Sequence, residues 1–375
     1  MSVGADLAYW LALRRAGLGT TNFALLVRHF PTMRDAWESP ASEILRAGVE
    51  TQYARAIERA RDRFEPDNEL NLLAKHGARA LTWMGEDYPE RLREIPQSPP
   101  VVFVRGAEGP EFDQAVAVVG TRHVTPYGRQ AAEHFCEALG AAGVAIVSGL
   151  ARGVDAIAHR VALEQGAPTV GVLAGGIDQV YPRENAGLAE RIVEHGCLVS
   201  EYPVGIPARR DYFPRRNRIL AGLAKATLVV EAGEGSGALH TANWAFEQQR
   251  DVFAIPGSVF SRQSWGTNQL IRENTARLVA TPSQLLEELN LVDASSQPNL
   301  ARMQTAGLDS QPRDAEAPTG PGEGQLLRLL GESPRHVDEL ARQAGLPIAE
   351  VSSTLQVLEL TGKVRQNGPM MYSRT

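Results

Sequence analysis

The sequence predicts an α/β protein with an extended Rossmann-like, doubly wound parallel sheet, preceded by a small all-α domain and followed by a winged-helix domain. Short apolar segments recur near residues 115–120, 144–148, 168–173, 197–201, 226–231 and 251–255, with helical segments between them. This alternation is typical of βαβ units. The segment 115–119 is apolar on both faces, as a parallel strand covered by helices on each side requires. The composition changes sharply after residue 291, which separates the sheet from the C-terminal part of the chain.

Residues 1–65 are predicted to form the all-α domain. Its short helices are interrupted at Gly17-Leu18-Gly19, Pro31, Pro40 and Gly48-Val49, residue types that end or separate helices. The glycine turns resemble those of helix-hairpin-helix or sterile-alpha-motif modules, in which such turns contact phosphates or partner proteins. Plain connections between helices explain them equally well.

Residues 66–291 are predicted to form the sheet domain. A strand at 78–83, a short helix at 89–94 and a strand at 101–104 precede the regular alternation, and a strand and a helix near 278–289 close it. In doubly wound sheets, ligands bind beyond the carboxyl ends of the strands. The candidate loops for a binding site therefore follow residues 120, 149, 174, 201, 231 and 256.

The rest of the chain is predicted to hold a linker and a second domain. Residues 292–324 are rich in Pro, Gly, Ser, Gln and Ala without an apolar period, which is typical of a flexible linker. Residues 325–375 predict three helices and a final β pair with Asn367-Gly368 as its turn, the order of a winged helix. The third helix carries Glu350 and, over 347–356, no Arg or Lys. A protein-contact or dimer role is therefore favoured over reading of duplex DNA.

The bulk composition restricts the function. The net charge is −6, so any polyanion must be met by a local basic patch rather than by overall charge. The sequence has no run of about 18 apolar residues and no secretory pattern at its N-terminus, which predicts a cytoplasmic protein with no membrane partner. Cys136 and Cys197 are expected to be reduced core residues.

The stretch 207–245 carries the strongest functional signal. Residues 207–218 contain five arginines and one aspartate, a local charge of +4, and Tyr212 and Phe213 lie among them. A short apolar strand at 226–231, a glycine-rich turn at 233–237 and a helix come next in the chain. A strand that ends in a glycine turn and a helix N-terminus is suited to bind an anion, because unpaired backbone N–H groups point at one spot.

Two further loops bring arginines to the same edge of the predicted sheet. Gly120, Thr121 and Arg122 follow one strand, and Arg152 lies between glycines after the next. Glycine allows close approach of the backbone, and threonine and arginine bind phosphate oxygens. A tight turn with one surface arginine explains either loop alone, but not the recurrence in two neighbouring loops.

The familiar catalytic and cofactor patterns are missing. Asp155 and His159 are four residues apart on a predicted helix and could form an acid–base pair, although a cap and an internal hydrogen bond are the preferred interpretation. No Walker A loop is present, the turn at 233–237 departs from the dinucleotide-binding spacing, and the histidines and cysteines lack zinc spacing. We therefore expect no catalytic residue, no cofactor and no metal.

Arginines together with aromatic residues at a sheet edge favour single-stranded nucleic acid as the ligand. The arginines neutralise phosphates, and a base that stacks on an aromatic ring gains roughly 1–3 kcal/mol. Phe213 is preferred over Tyr212 for stacking. Ordinary packing ahead of Pro214 is the alternative for both.

The chain resembles the DprA family of DNA-processing proteins, also called Smf. The resemblance covers residues from about 115 to 275 in order. It is carried by segments 119–128, 148–159, 176–185, 213–223, 231–242, 256–258 and 266–271. It implies a homodimer, formed through the Rossmann-like domain, that binds single-stranded DNA, protects incoming DNA and helps to load RecA in natural transformation, without established catalysis. The residues that it implies for contact with DNA are Gly120, Thr121, Arg122, Phe213, Arg216, Asn217 and Arg218, to which the sheet-edge argument adds Arg152 and Arg215.

Five positions depart from the family pattern: Thr121, Ala174, Ala238, Gln249 and Asn274. Thr121 keeps the hydroxyl of the usual serine. Ala238 loses a hydroxyl, so a hydrogen bond at the helix entry is expected to be missing. Gln249 replaces a glycine, from which we expect that its helix does not end in a left-handed glycine cap.

Two rival functions remain at this point. The glycine loop is distantly similar to that of nucleotide-binding phosphoribohydrolases of the lysine-decarboxylase-like group, but the Pro-Gly-Gly-x-Gly-Thr loop and its following glutamate are missing. A winged-helix transcription factor is the third possibility, against which the uncharged recognition helix argues.

Overall fold

The computed structural model describes residues 3–107, 109, 112–291, 323–331, 334–360, 363–368 and 370–374. The chain divides into two compact units, Met1–Ser296 and Gln297–Thr375. The predicted linker falls almost entirely on residues 292–322, which lie outside the described residues. Each unit has an apolar core of its own.

The first unit begins with helices, as predicted. They are α1 (Val3–Arg15), α2 (Thr20–His29), α3 (Met33–Glu38), α4 (Ala41–Arg46), α5 (Thr51–Arg61) and α6 (Pro66–Lys75). The breaks between them have local causes: Gly17 and Gly48 adopt φ of 94° and 91°, which favours glycine, and Thr32 caps α3 by accepting from the Asp35 N–H. Trp10 stacks on Phe23 with ring centroids 5.2 Å apart. These helices share one apolar cluster with Val101 and Leu198 of the sheet, so they pack directly on it.

The sheet has nine strands among the described residues, in the order β1-β2-β6-β5-β4-β3-β7-β8-β9. The strands are β1 (Ala78–Thr82), β2 (Val101–Gly106), β3 (Ala115–Val119), β4 (Ala145–Ser148), β5 (Thr169–Val172), β6 (Cys197–Ser200), β7 (Ala226–Val229), β8 (Asp251–Ala254) and β9 (Arg277–Leu278). The prediction of a parallel sheet needs one correction. The strand β2 pairs antiparallel with both β1 and β6, so the sheet is mixed at this edge and parallel from β6 to β9.

Helices cover both faces of the sheet, which confirms the doubly wound arrangement. They are α7 (Glu90–Glu94), α8 (Pro126–Ala141), α9 (Val154–Glu164), α10 (Ala186–His195), α11 (Tyr212–Leu223), α12 (Gly237–Glu247), α13 (Trp265–Arg272) and α14 (Pro282–Glu288). Within β3, Val116 and Val118 join a cluster with α8 and α9, while Ala117 joins one with α11 on the other face. Burial on both faces explains why this strand is a continuous apolar run.

The strand order reverses direction at β3. From β3 the chain adds β4, β5 and β6 on one side and β7 and β8 on the other. The loops that leave the carboxyl ends of β3 and β7 therefore diverge to opposite faces and leave a crevice between them. Such a switch point is where open α/β sheets bind their ligands.

The second unit has the element order of a winged helix, as predicted. It comprises α15 (Glu323–Leu329), β10 (Arg335–His336), α16 (Val337–Ala344), α17 (Ile348–Leu360), β11 (Val364–Gly368) and β12 (Met371–Arg374). The three strands pair antiparallel in the order β10-β12-β11. The predicted hairpin turn at Asn367-Gly368 is misplaced, because β11 continues through both residues and shows a register shift between Gln366 and Gly368.

Candidate nucleic-acid interface

A cavity of about 400 Å³ opens at the switch point. It is bounded by the loops after β3 and β4, the first turns of α11, and the glycine-rich turn between β7 and α12. Six of the predicted residues line it: Gly120, Thr121, Arg122, Phe213, Arg216 and Asn217. The predicted Arg152, Arg215 and Arg218 do not.

The loop after β3 is held rigidly by its backbone. The Thr121 N–H donates to the Glu231 carbonyl at 2.7 Å and the Val154 N–H donates to the Thr121 carbonyl at 3.3 Å. A Cβ on Gly120 would lie 2.5 Å from the Val154 side chain, so glycine is required at this approach. The Thr121 hydroxyl accepts from the His123 N–H at 3.1 Å. This framework fixes the loop and leaves the Arg122 side chain exposed.

Glu231 joins the end of β7 to the N-terminus of α8, whose N-cap is Thr125. Its buried carboxylate accepts from the Thr125 hydroxyl at 2.6 Å and from the Thr125 N–H at 3.0 Å. A Cβ on Gly128 would come within 2.3 Å of the same carboxylate. Glu231 is thus a positioning residue that we did not predict as part of the site, although it stands at a strand end in the segment 231–242 that carries the family resemblance.

Phe213 is the centre of a cation–aromatic cluster. The guanidinium carbons of Arg122 and Arg216 lie 5.5 and 5.9 Å from its ring centroid. The ring of Tyr181 meets it edge-on at 5.7 Å. Phe213 is only half-buried, so it combines an accessible ring with an exposed arginine beside it.

Arg216 lies beneath Phe213 and is only 4% exposed. It donates to the carbonyl of Gly149 at 2.7 Å and also to that of Val172, and thereby joins α11 to the ends of β4 and β5. Burial lowers the pKa of Arg216 to about 10, an effect that the nearby Asp155 opposes. Arg216 therefore stays protonated at neutral pH.

Asp155 is the counter-charge of Arg216 in this region. Burial raises the pKa of Asp155, while Arg216 and the N–H groups of Ala151 and Gly149 oppose the rise. Those two N–H groups donate to its carboxylate at 3.3 and 3.2 Å. The carboxylate thus holds the turn after β4. The preferred interpretation of Asp155 as a helix cap is wrong, because the N-cap of α9 is Gly153 and has no side-chain cap hydrogen bond.

His159 does not pair with Asp155. Its Nδ1 lies 2.7 Å from the Thr169 hydroxyl, and burial lowers its pKa to about 3. His159 is therefore a neutral core residue at physiological pH. Within the described ranges, no group of His, Cys, Asp and Glu side chains is arranged to hold a metal ion.

The three predicted residues outside the cavity have different environments. Arg152 is exposed and makes a two-bond pair with Glu184, at 2.7 Å for each bond. It lies in a small neighbouring cavity that also contacts Arg122, Phe213 and Tyr181. Arg215 is exposed.

Arg218 points to the opposite side of α11 and is 6% exposed. It makes two hydrogen bonds of 2.9 Å to the carboxylate of Glu201 and a third, of 3.0 Å, to the carbonyl of Gln97. The same glutamate accepts from Arg14 of α1, whose Nε lies 3.0 Å from its backbone carbonyl. Arg218 thus connects α11 to the sheet and to the N-terminal helices.

The glycine-rich turn at 233–237, whose role was unexplained from sequence, forms one wall of the cavity. Seven other polar residues that line the cavity were not predicted as site residues: His123, Asp155, Glu234, Ser236, His240, Thr241 and Gln263. The expected loss of a hydrogen bond at Ala238 is compensated, because Ser236 caps α12 by accepting from the Ala238 N–H. Asn217 donates to the Gly237 carbonyl at 3.2 Å and so fixes this wall to α11.

Gln249 ends its helix in the left-handed conformation although it is not glycine. It adopts φ of 58° directly after the end of α12, and Asn274 adopts 55° at the second position where the family pattern has glycine. Both helices therefore keep a left-handed residue without glycine. This conformation raises the free energy of the backbone at Gln249 and Asn274, since non-glycine residues adopt the left-handed region less readily.

The fold and the cavity together define a Rossmann-like binding protein whose switch-point site is made of glycine turns, arginines and an accessible phenylalanine. Comparison with known proteins identifies the family within this class. Residues 79–290 match the family model of DNA recombination-mediator protein A, and residues 310–368 match that of the DprA winged helix domain. The chain belongs to the DprA/Smf family of DNA-processing proteins.

Individual relatives agree over most of the chain. Protein Smf of Synechocystis is 35% identical over 99% of both chains, and Protein Smf of Escherichia coli is 40% identical over 74% of this chain and 72% of its own. The X-ray structure of DprA from Streptococcus pneumoniae is 31% identical, with a TM-score of 0.67, and the match covers 75% of this chain and 97% of that one. No described helix is long and apolar enough to cross a membrane.

Proposed function

We propose that this protein binds single-stranded DNA along the carboxyl edge of its sheet and acts in DNA recombination. The observation that carries the proposal is the position of the Phe213 ring, half-accessible and flanked by the Arg122 and Arg216 guanidinium groups, beside a cavity walled by glycines. Arginines and aromatic rings are the groups with which proteins bind single strands without sequence preference. A DprA structure from Helicobacter pylori, described by its single-stranded DNA binding mode, is 27% identical with a TM-score of 0.52 over 57% of this chain and 95% of that one.

The proposal gives the predicted residues distinct roles. Arg122 and Arg215 bind backbone phosphates, and Arg152 joins them when DNA displaces Glu184. Gly120 and Thr121 let the strand approach the loop after β3. Phe213 stacks on a base, and Asn217 orients the glycine-rich wall.

Arg216 and Arg218 act from beneath the surface. Arg216 supports Phe213 and adds its charge to the cavity, while its hydrogen bonds to two carbonyls hold the loops in place. Arg218 holds α11 through Glu201. Both contribute to DNA binding mainly because they position the exposed groups.

Family membership supports a proposal for the wider role. We propose that the protein works as a homodimer through its Rossmann-like domain, protects incoming DNA and promotes loading of RecA, in the cytoplasm and during natural transformation. The winged-helix unit supports a protein-contact role in this scheme, since its helix α17 carries Glu350 and no arginine or lysine. Purified protein added to RecA and DNA coated with single-strand-binding protein tests the loading step through the rate of RecA filament growth.

The decisive experiment compares labelled single-stranded and duplex oligonucleotides in a fluorescence-anisotropy titration. We expect at least about tenfold tighter binding of the single strand and little dependence on base sequence. Affinity should fall steeply with salt, because each phosphate contact contributes about −0.7 to the slope of log K against log salt. Equal affinity for both forms would contradict the proposal. Incubation with nucleoside monophosphates tests the phosphoribohydrolase alternative, and we expect no release of free base.

A further inference from the structure

The loop after β8 exposes apolar side chains that the core does not use. Phe260 is 96% exposed and Val259 is 83% exposed, and Trp265 at the start of α13 is 47% exposed. Such a concentration of apolar surface in one place marks an interaction site more often than chance exposure. Neither the fold nor the cavity at the switch point accounts for it.

This apolar loop lies beside the proposed DNA site. A second cavity, of about 770 Å³, is lined by Val259, Phe260 and Trp265. It shares Gly233, Glu234 and Gln263 with the switch-point cavity. The two cavities therefore adjoin each other at the glycine-rich turn.

The base of the loop is rigid although its tip is exposed. The side-chain amide of Asn268 exchanges two hydrogen bonds with the backbone of Gly257, at 3.0 and 3.1 Å. The Tyr127 hydroxyl donates to the carbonyl of Pro256, and a Cβ on Gly257 would lie 2.1 Å from the Ser264 hydroxyl. Phe260 is thus presented by a fixed frame, which reduces the entropy that a ligand must remove.

The charges around this loop suit an anionic strand. Arg262 and Arg272 line the second cavity, and Glu234 is the one acidic residue among its described lining groups. The net charge of this lining is therefore +1. Among the residues that the structure describes, neither guanidinium has an ion pair or a hydrogen bond to protein. Both cavities are thus lined by arginines together with an accessible aromatic side chain.

We propose that Phe260, with Val259 and Trp265, forms a second base-stacking platform for single-stranded DNA. The strand then runs from Phe213, over the glycine-rich turn, to Phe260, with Arg262 and Arg272 on its phosphates. The inference rests on the proposed function and extends it. Single-stranded nucleic acid is favoured over a protein partner because the platform adjoins the switch-point cavity and is flanked by arginines that have no protein partner among the described residues.

A length series of oligothymidines tests the platform, since only a strand long enough to pass the glycine-rich turn can reach Phe260. A strand of about 6 nucleotides lies near the short end of the site sizes of common single-strand-binding folds, and one of about 20 nucleotides lies beyond their long end. Phe260→Ala should weaken binding of the longer strand about tenfold, as expected for one lost stacking contact, and leave the shorter strand unchanged. Phe213→Ala should weaken both.

Phe246→Ala is the matched control, because Phe246 is also an exposed phenylalanine, 56% accessible, but lies at the far end of α12. This substitution should leave the affinities for the longer and the shorter strand unchanged. Full affinity of Phe260→Ala for the longer strand, or an equal loss for both lengths, would overturn the platform. Sedimentation adds a second criterion: if Phe260→Ala changes only the oligomeric state, the surface contacts another copy of the chain and the proposal is wrong. Failure of the unmodified protein to bind either strand would instead overturn the proposed function.

Discussion

The two halves of the arginine run, residues 209–215 and 216–218, have the same residue type and opposite environments. Arg209, Arg210 and Arg215 are exposed, whereas Arg216 and Arg218 are buried and bonded to protein oxygens. The change occurs within one turn of α11. A cluster of arginines in sequence therefore predicts the local charge but not how much of it a ligand can reach. Substitutions on each side can test this division between buried, positioning groups and exposed, binding groups.

The largest effect is expected for Arg218→Ala. The substitution leaves the Glu201 carboxylate without its two-bond partner in a buried site, which typically costs about 3–5 kcal/mol. Urea denaturation should show this loss in the free energy of unfolding. Arg210→Ala, an exposed neighbour in the same run, should stay within about 0.5 kcal/mol of the unmodified protein. Similar free energies of unfolding for the two variants would contradict the distinction between buried and exposed arginines.

His159 provides a pH test of the buried side. Its folded-state pKa, about 3, lies below its unfolded value near 6.5, so the folded state binds fewer protons between these values. The stability is fully present above pH 6.5 and falls as the pH drops towards 3. The loss should be about 2–3 kcal/mol over the first two pH units. His159→Asn should lack this component in denaturation curves recorded across the pH range, and an unchanged pH dependence would refute the assignment.

Phe213→Ala tests the boundary between the two environments. The loss of one stacked base should weaken single-strand binding by about 1–3 kcal/mol, while the half-buried ring should contribute less to stability than Arg218. Phe213→Trp keeps a stacking surface and should retain most of the affinity. Weak binding by the tryptophan variant at normal stability would show that the ring does not act by stacking.

The smallest effect is expected for Arg122→Gln on the exposed side. Removal of one phosphate contact should weaken binding by about 1 kcal/mol and make the salt slope shallower by about 0.7. Stability should not change measurably, because the Arg122 side chain is exposed. Arg63→Gln, another exposed arginine in the N-terminal region, is the control and should leave the salt slope as it was.

Local sequence patterns predicted the elements and most of the cavity. The apolar period located β3 to β8, and the rule that ligands bind at the carboxyl ends of strands identified the loops that carry Gly120, Arg122 and the glycine-rich turn. Arginine burial depends instead on distant partners. Arg218 meets Glu201, and Arg216 meets the carbonyls of Gly149 and Val172.

Two other features were also beyond local signals. The antiparallel direction of β2 is set by its pairing with β6, almost a hundred residues later in the chain. The left-handed conformation of Gln249 is imposed by the helix end, against the preference of its residue type. Neither the pairing of distant strands nor the backbone strain of a single residue can be recognised from composition or periodicity.

The carboxylate of Glu201 lies within reach of two guanidinium groups that come from helices far apart in the chain. Arg14 of α1 approaches it to 3.8 Å and Arg218 of α11 to 2.9 Å. Removal of the N-terminal helices would consequently also remove a contact to Glu201 of the sheet domain. A shortened protein that begins after α6 would lose Arg14, and the remaining pair of Arg218 and Glu201 would be open to water. Its DNA affinity would then reflect a rearranged α11. Single substitutions at Arg14 separate the contribution of the helices from that of their anchor.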